Sequence, residues 1–257
     1  MLGAMIGDIV GSVYEWHNIK TTEFPLFKAD CFFTDDSVLT AATAQALTTG
    51  DDYTSVYQDF GRRYPGRGYG GHFGQWIHAE NPQPYNSWGN GSAMRVSPVG
   101  FAFYSIEEVL AEAERSAAVT HNHPEGIKGA QATALAVLMA RQQASQADIR
   151  KEIVDRFGYD LNRTVDEIRP TYAFDVSCQG SVPEAIIAFL EADNFEDAIR
   201  KAISLGGDSD TIACITGGIA EAYFGIPEEI ANEGLKFLPE EFVDIVEKFN
   251  NNVAGEL

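Results

Sequence analysis

What most constrains this chain is its periodicity: apolar residues return at helical spacing almost from end to end, and alternating runs of the kind that build strands are nearly absent. In EEVLAEAERSAAV (107–119) and GAQATALAVLMARQQ (129–143) the apolar positions fall three and four apart, and the second run follows His123-Pro124, with proline suited to a first helical turn. SVPEAIIAFLEAD (181–193) puts Ser181 where a cap belongs and Pro183 near the first turn, while NFEDAIRKAISLGG (194–207) starts on Asn194 and stops on Gly206-Gly207. Further helices are expected near 37–48, 54–62, 70–79, 147–157, 209–223 and 239–250. No linker rich in Pro, Gly or Ser and no repeat at a fixed period divides the chain. The expectation is an all-α fold, a single multi-helix domain over 1–257, with the irregular stretches 17–35, 80–98 and 158–180 carrying the chemistry on a helical scaffold.

Charge narrows the partners. Eighteen Lys and Arg against 38 Asp and Glu leave a formal charge of −20, which repels a nucleic-acid backbone or an anionic membrane surface. An anionic small ligand would need a locally reversed potential from a cation, a helix N-terminus or a placed arginine. Cys31, Cys178 and Cys214 are three and lack C-x-x-C spacing, so no disulfide framework or zinc knuckle is indicated and a cytoplasmic setting is expected. The first twenty residues carry Asp8 and Glu15 where a signal peptide is apolar, and the apolar stretch around 211–226 is broken by Glu221 and glycines, so no membrane span is expected.

Two helix starts carry more oxygen than a cap requires. Phe33-Thr34-Asp35-Asp36-Ser37 precedes one helical run, and Gly206-Gly207-Asp208-Ser209-Asp210-Thr211 precedes another. Capping accounts for one such residue at each start, because Asp, Ser and Thr satisfy free N–H groups and acids complement the helix dipole. It does not account for the surplus. If the two starts converge, Asp35, Asp36, Asp208 and Asp210 repel one another unless neutralised, and two Mg²⁺ ions would set +4 against −4 with the oxygen ligands such hard cations prefer. In the N-terminal segment Gly3, Gly7 and Gly11 recur at spacing four, a pattern for close helix packing, with Asp8 among them. Glu15 follows between Tyr14 and Trp16, where partial desolvation would raise its pKa and suit it to acid–base work or metal ligation. Asn90-Gly91-Ser92-Ala93-Met94-Arg95 reads either as a turn or as a phosphate cradle of backbone N–H groups. His121 and His123 lack a third zinc ligand at a recognisable spacing, which leaves His121 a hydrogen-bonding role toward an anion.

Taken in order, GAMIGDIVGSVYE, FTDDSV, NGSAMRVSPVG, THNHPEGIKGA and LGGDSDTIACITGGIAEAYFG resemble the motif set of the ADP-ribosylglycohydrolase family, from residue 3 to about 225. The resemblance implies an all-α fold with a central dinuclear cleft for Mg²⁺ or Mn²⁺, and hydrolysis of the bond between ADP-ribose and an acceptor on a protein or small molecule. By motif it implies Thr34, Asp35, Asp36, Asp208, Asp210 and Thr211 as metal ligands, and Glu15, Asp35 and Asp208 in catalysis. It also implies that Asn90, Gly91, Ser92, Met94, Arg95 and His121 face the ligand. Two readings compete with it: a helical metal-dependent phosphohydrolase or diphosphate lyase, and a noncatalytic ADP-ribose-binding relative. The first is weakened by Leu39 and Thr40, which stand where a further acid would be expected after Asp35-Asp36.

Overall fold

The computed structural model describes residues 1–255, which form fifteen helices on one apolar core. In chain order these are α1 (Leu2–Gly11), α2 (Asp35–Thr49), α3 (Tyr53–Arg63), α4 (Gly71–Trp76), α5 (Gly91–Met94), α6 (Ser97–Ala102), α7 (Ile106–Ala118) and α8 (Pro124–Arg141). There follow α9 (Gln146–Phe157), α10 (Val165–Ile168), α11 (Cys178–Leu190), α12 (Phe195–Ser204), α13 (Ser209–Phe224), α14 (Glu228–Leu235) and α15 (Glu240–Gly255). No strand occurs among the described residues; a single antiparallel bridge joins Gly89 to Ser177 and ties the 80–98 loop to the segment before α11. None of the described helices is long and apolar enough to cross a membrane.

Alanine and glycine set how close the central helices come. On α1, a methyl group at Gly3 would meet Gly217 O at 2.5 Å, one at Gly7 would meet Ala213 O at 2.0 Å, and one at Gly11 would meet Asp210 Cα at 2.5 Å. Only hydrogen fits at those three positions, so the backbones of α1 and α13 run in contact. The small residues at spacing four thus do pack a helix pair, and that pair brings the end of α1 to the start of α13. Helix α8, buried along Ala130, Ala134 and Val137, takes Gly100 of α6 against it in the same close manner.

Two local expectations are corrected. Helix α11 begins at Cys178, capped by the Ser177 hydroxyl, which accepts from Gly180 N–H, so Pro183 lies inside the helix and Ser181 caps nothing. Its first turn is fixed from outside, by Cys178 N–H on Trp88 O (3.0 Å) and by the Ser181 hydroxyl on Asp175 O (2.9 Å), and this tertiary anchoring offsets the ladder bond that proline cannot make. The helix expected over 70–79 stops at Trp76, and four short helices, α5, α6, α10 and α14, lie where loops or nothing regular was expected.

Candidate metal centre and acid cleft

At the start of α2, Thr34 is extended (φ −108°, ψ −166°) and its hydroxyl accepts from Asp36 N–H, so the capping function is met by the threonine. The whole turn is held from across the core by Asp8 of α1. Asp8 Oδ1 accepts from Thr34 Oγ1 (2.7 Å), and Oδ2 accepts from Thr34 N–H (2.9 Å), Ser37 N–H (3.0 Å) and Ser37 Oγ (2.5 Å). A fully buried carboxylate with four donors is a structural anchor as much as a charge. The missed signal in the sequence was a lone acid in an otherwise apolar, glycine-striped helix, a position that demands a partner.

At the start of α13 the chain turns through Gly206 and Gly207, both at positive φ (73° and 72°), where side chains other than glycine are strained. Asp208 occupies the cap position yet makes no cap bond. Its Oδ2 instead accepts from Asn90 Nδ2 (2.7 Å), and the same amide nitrogen reaches the Ser181 hydroxyl at 3.1 Å. A simple cap therefore does not explain Asp208.

The two starts converge. One carboxylate oxygen each from Asp8, Asp36 and Asp210 lie within 4.8 Å of one another, and a second group of the same spacing joins Glu15, Asp208 and Asp210. Among the described residues none of these five carboxylates is in an ion pair. Asp36 Oδ1 and Asp210 Oδ1 are buried without any hydrogen-bond partner, a costly condition for a charged oxygen that coordination by a cation would relieve. The Thr211 hydroxyl donates to Asp36 Oδ2 at 3.3 Å, so both helix starts share one polar cluster. Burial pushes every acid in it upward: Asp8 to about 6, and Glu15 to about 7 with the Asp208 charge adding to burial. Asp35, Asp36, Asp208 and Asp210 are also raised, chiefly by desolvation. An all-oxygen, anionic, partly unpartnered donor set fits a hard divalent cation. Asp35 stands slightly apart: it belongs to neither close group, is only partly buried, and donates its backbone N–H to Arg67 O (2.8 Å).

The expected ligand-facing set divides. Asn90 reaches the cleft through Asp208, and His121 lies under the Gly89–Gly91 turn, its Nε2 3.2 Å from where a Gly91 methyl would sit. Its Nδ1 pairs with the Thr120 hydroxyl (2.7 Å), and burial lowers its pKa well below the usual value, so it stays neutral. Ser92, Met94 and Arg95 point elsewhere. The Ser92 hydroxyl donates to Gly126 O (2.7 Å) in the core, and the Met94 side chain is buried. Arg95 is fully buried over the Tyr57 ring (4.2 Å) and donates to Ser116 O (2.8 Å) and Thr120 Oγ1 (2.9 Å), which ties it to the turn before α8, while its Nε and Nη1 have no hydrogen-bond partner.

The described helices thus bring carboxylates of the first, second and thirteenth helices together in one acidic cluster that could hold a cation. The ADP-ribosylglycohydrolase family model matches residues 1–255, and the chain belongs to that family. It is 27% identical to the mouse protein named ADP-ribosylhydrolase ARH3, over 89% of this chain and 83% of that one, and 28% identical to human ARH3, over 89% and 85%. Similarity to the Pseudomonas putida ADP-ribosylarginine hydrolase Tri1 is 28%, over 54% of this chain and 39% of that one. Among solved structures, a chain of an ADP-ribosylglycohydrolase-related protein complex shares the fold with a TM-score of 0.71 at 23% identity, covering 98% of this chain and 95% of that one.

Proposed function

We propose that the protein is a Mg²⁺- or Mn²⁺-dependent hydrolase that cleaves the N- or O-ribosyl bond between ADP-ribose and an acceptor, releasing ADP-ribose. The observation that carries this reading is the pair of close carboxylate groups that share Asp210, Asp8–Asp36–Asp210 and Glu15–Asp208–Asp210, none of them in an ion pair and with Asp36 Oδ1 and Asp210 Oδ1 buried without a hydrogen-bond partner. Family membership and the names of the ARH3 and Tri1 relatives support the choice of ADP-ribose over a diphosphate substrate. Asp36, Asp208 and Asp210, with Thr34, Asp35 and Thr211 beside them, would hold two ions. When bound, such ions supply positive charge that orients ribose hydroxyls and acidifies water.

The chain's own groups do the rest. Departure of the acceptor from the ribose carbon builds positive charge on the ring, which neighbouring carboxylates favour in a cleft partly shut off from water. Glu15, half-buried and raised to about 7, is matched to taking a proton from water and returning one to the acceptor near neutral pH. Asn90 fixes one oxygen of Asp208, so that carboxylate keeps its orientation through the cycle. The α5 turn at Gly91, backed by neutral His121, is the surface we assign to the ligand's phosphate and ribose oxygens, since the N–H groups of Gly89 and Asn90 already donate to Ser87 Oγ and Val176 O. Three buried, unpaired cysteines support a reducing compartment such as the cytoplasm.

The test is a panel of ADP-ribosylated peptides and small molecules of defined linkage, assayed for free ADP-ribose with Mg²⁺ and with excess EDTA. The expected result is release from at least one linkage that EDTA abolishes. Glu15→Gln should lower kcat by about 10²–10⁴-fold, because an amide cannot accept the proton. Binding of ADP-ribose without turnover of any linkage would favour the noncatalytic reading.

A further inference from the structure

The turn that carries Glu15, residues 12–18, lies beyond the end of α1; its first half is tied to the core by the Ser12 hydroxyl, bonded to Ile9 O and Phe32 N–H, and by buried Tyr14 against Phe24 (5.2 Å). From Glu15 onward the chain is more exposed, and one side chain at its end holds it. Asn18 is exposed on the surface, yet its amide makes four main-chain hydrogen bonds. Nδ2 donates to Tyr14 O (2.7 Å), Glu15 O (2.9 Å) and Gly207 O (2.9 Å), and Oδ1 accepts from Gly207 N–H (2.8 Å). Only this orientation points the two N–H donors at the three carbonyls, one proton being shared, and the oxygen at the N–H. The bonds span 189 residues of chain and join the Glu15 turn directly to the glycine turn before Asp208.

Two neighbouring contacts brace the same junction. Lys20 Nζ donates to Leu205 O (2.5 Å) and Tyr172 O (2.7 Å), which closes the third side of the glycine turn. On the outer side Trp16 stacks on Phe174, with ring centroids 5.3 Å apart and planes 24° from parallel, although both rings remain substantially exposed. Asn18 therefore grips Glu15's backbone, and the Trp16–Phe174 pair ties the next residue to the segment before α11.

We propose that Asn18 is a positioning residue for the hydrolysis: it sets the Glu15 carboxylate against Asp208 and Asp210 by clamping residues 14 and 15 to Gly207, and Phe174 does the same through Trp16. The inference rests on the role given to Glu15 above. Its chemistry predicts a specific signature. Loss of the clamp lets Glu15 wander on a loop, which lowers the rate of the bond-breaking step, but removes no group that contacts ADP-ribose.

The experiment compares Asn18→Ala, Asn18→Asp, Phe174→Ala, Glu15→Gln and the double variant Asn18→Ala/Glu15→Gln in single-turnover assays at saturating Mg²⁺, with ADP-ribose affinity measured by calorimetry. Asn18→Ala should lower the single-turnover rate by about 10- to 100-fold, the scale on which small misplacements act, with ADP-ribose affinity within about threefold of wild type. Asn18→Asp keeps the acceptor for Gly207 N–H but turns a carboxylate toward three carbonyls, so it should not rescue. Phe174→Ala, at an exposed position that cannot unfold the core, should show the same rate-without-affinity loss at smaller size. In the Glu15→Gln background Asn18→Ala should add almost nothing, because a clamp has no effect once its client is inert. A wild-type rate in Asn18→Ala while Glu15→Gln is impaired would overturn this inference and leave the function standing, and so would losses that multiply fully in the double variant. A wild-type rate in Glu15→Gln brings down the Glu15 reading and this inference with it.

Discussion

The starts of α2 and α13 contribute the same chemistry by opposite means. At α2 Thr34 caps the helix and a single outside partner, Asp8 of α1, accepts four bonds from Thr34 and Ser37, so the acids that follow are presented from a rigid, fully bonded platform. At α13 the cap position is held by Asp208 without a cap bond, the approach runs through two positive-φ glycines, and the restraint comes from Asn90, Asn18 and Lys20 on other segments. One start is capped by its own threonine and held by one buried carboxylate of α1; the other has no cap bond and is held by several segments. The lesson is that two equally acidic motifs differ in how they are held: a carboxylate outside the α2 motif, Asp8 of α1, organises the α2 turn, whereas at α13 Asp208 is oriented by the Asn90 amide and Asp210 keeps one buried oxygen without a hydrogen-bond partner.

The largest effect should come from separating the two starts. Gly7→Ala places a methyl 2.0 Å from Ala213 O, against backbone that cannot rotate away, and so must push α1 off α13. Overpacking of this kind costs about 3 kcal/mol or more, which for a chain of this size corresponds to a melting temperature lower by roughly 10 °C. Thermal melts of the metal-free variant check the stability, and loss of the Mg²⁺-induced rise in melting temperature checks that the cluster has come apart. A Gly7→Ala protein with wild-type values for both would mean that the helices do not approach as closely as the glycines allow.

The second test sets Asp8→Asn against Asp208→Asn. An asparagine at 8 turns an N–H₂ toward donors of Thr34 and Ser37, leaving a buried clash that costs about 1–3 kcal/mol even without metal. At 208 the same change removes a repelling charge and keeps an acceptor for Asn90, so the metal-free variant should be as stable as wild type or more so. With Mg²⁺ the order of sensitivity reverses: Asp208→Asn should forfeit most of the ligand-induced stabilisation, which for wild type amounts to about 2.7 kcal/mol at a hundredfold excess over Kd. Equal losses at both positions in EDTA melts would erase the distinction between the two starts.

Acidity supplies a third test. Asp8 and Glu15 have folded pKa values raised to about 6 and about 7, so each holds its proton more tightly in the folded protein. Such a group's stabilising contribution is complete below the unfolded pKa, near 4, and is lost as pH rises through the folded value. Metal-free protein should therefore melt at progressively lower temperature between about pH 5 and 8, and the Mg²⁺-induced gain should grow over the same interval, because ligation requires ionised carboxylates. Asp8→Asn should flatten the lower part of the EDTA profile and Glu15→Gln the upper part. An EDTA profile that rises toward pH 8 would contradict the crowding of these acids.

How much of this was legible depended on how local the signal was. The long helices announce themselves by periodicity and caps, and the two acid clusters stand out because their oxygens exceed what a cap uses. Asp8 was hidden, since its partners lie 26 and 29 residues away and the glycine stripe around it offered a sufficient packing reason for the segment. Asn18 carries no motif; its function exists only once Gly207 arrives from the far end of the chain. Ser92 and Arg95 sit in a turn of ligand-binding type, and sequence does not distinguish the residues that face a ligand from those that hold the turn. Helix α10 could have been found, because Thr164 and Glu167 form a reciprocal capping box of the S/T-x-x-E kind. Pro183 misled because a first-turn proline is the common case, and only the external anchoring of α11 makes the exception affordable.

The smallest expected difference isolates capping itself. Thr34→Ala removes the hydroxyl that accepts from Asp36 N–H (3.2 Å) and donates to Asp8 Oδ1 (2.7 Å), whereas Ser209→Ala removes one whose contacts, to Tyr14 O and Gly207 O, are both 3.4 Å long. Measured in EDTA, so that no metal contributes, loss of the α2 cap should cost about 1–2 kcal/mol, and loss of the Ser209 hydroxyl no more than about 0.5 kcal/mol. Denaturant titrations resolve such a gap when the slopes agree between variants. If Ser209→Ala costs as much as Thr34→Ala, α13 carries a hydroxyl cap after all, and its freedom from internal restraint, on which the contrast with α2 depends, is not what leaves Asp208 and Asp210 available to a cation.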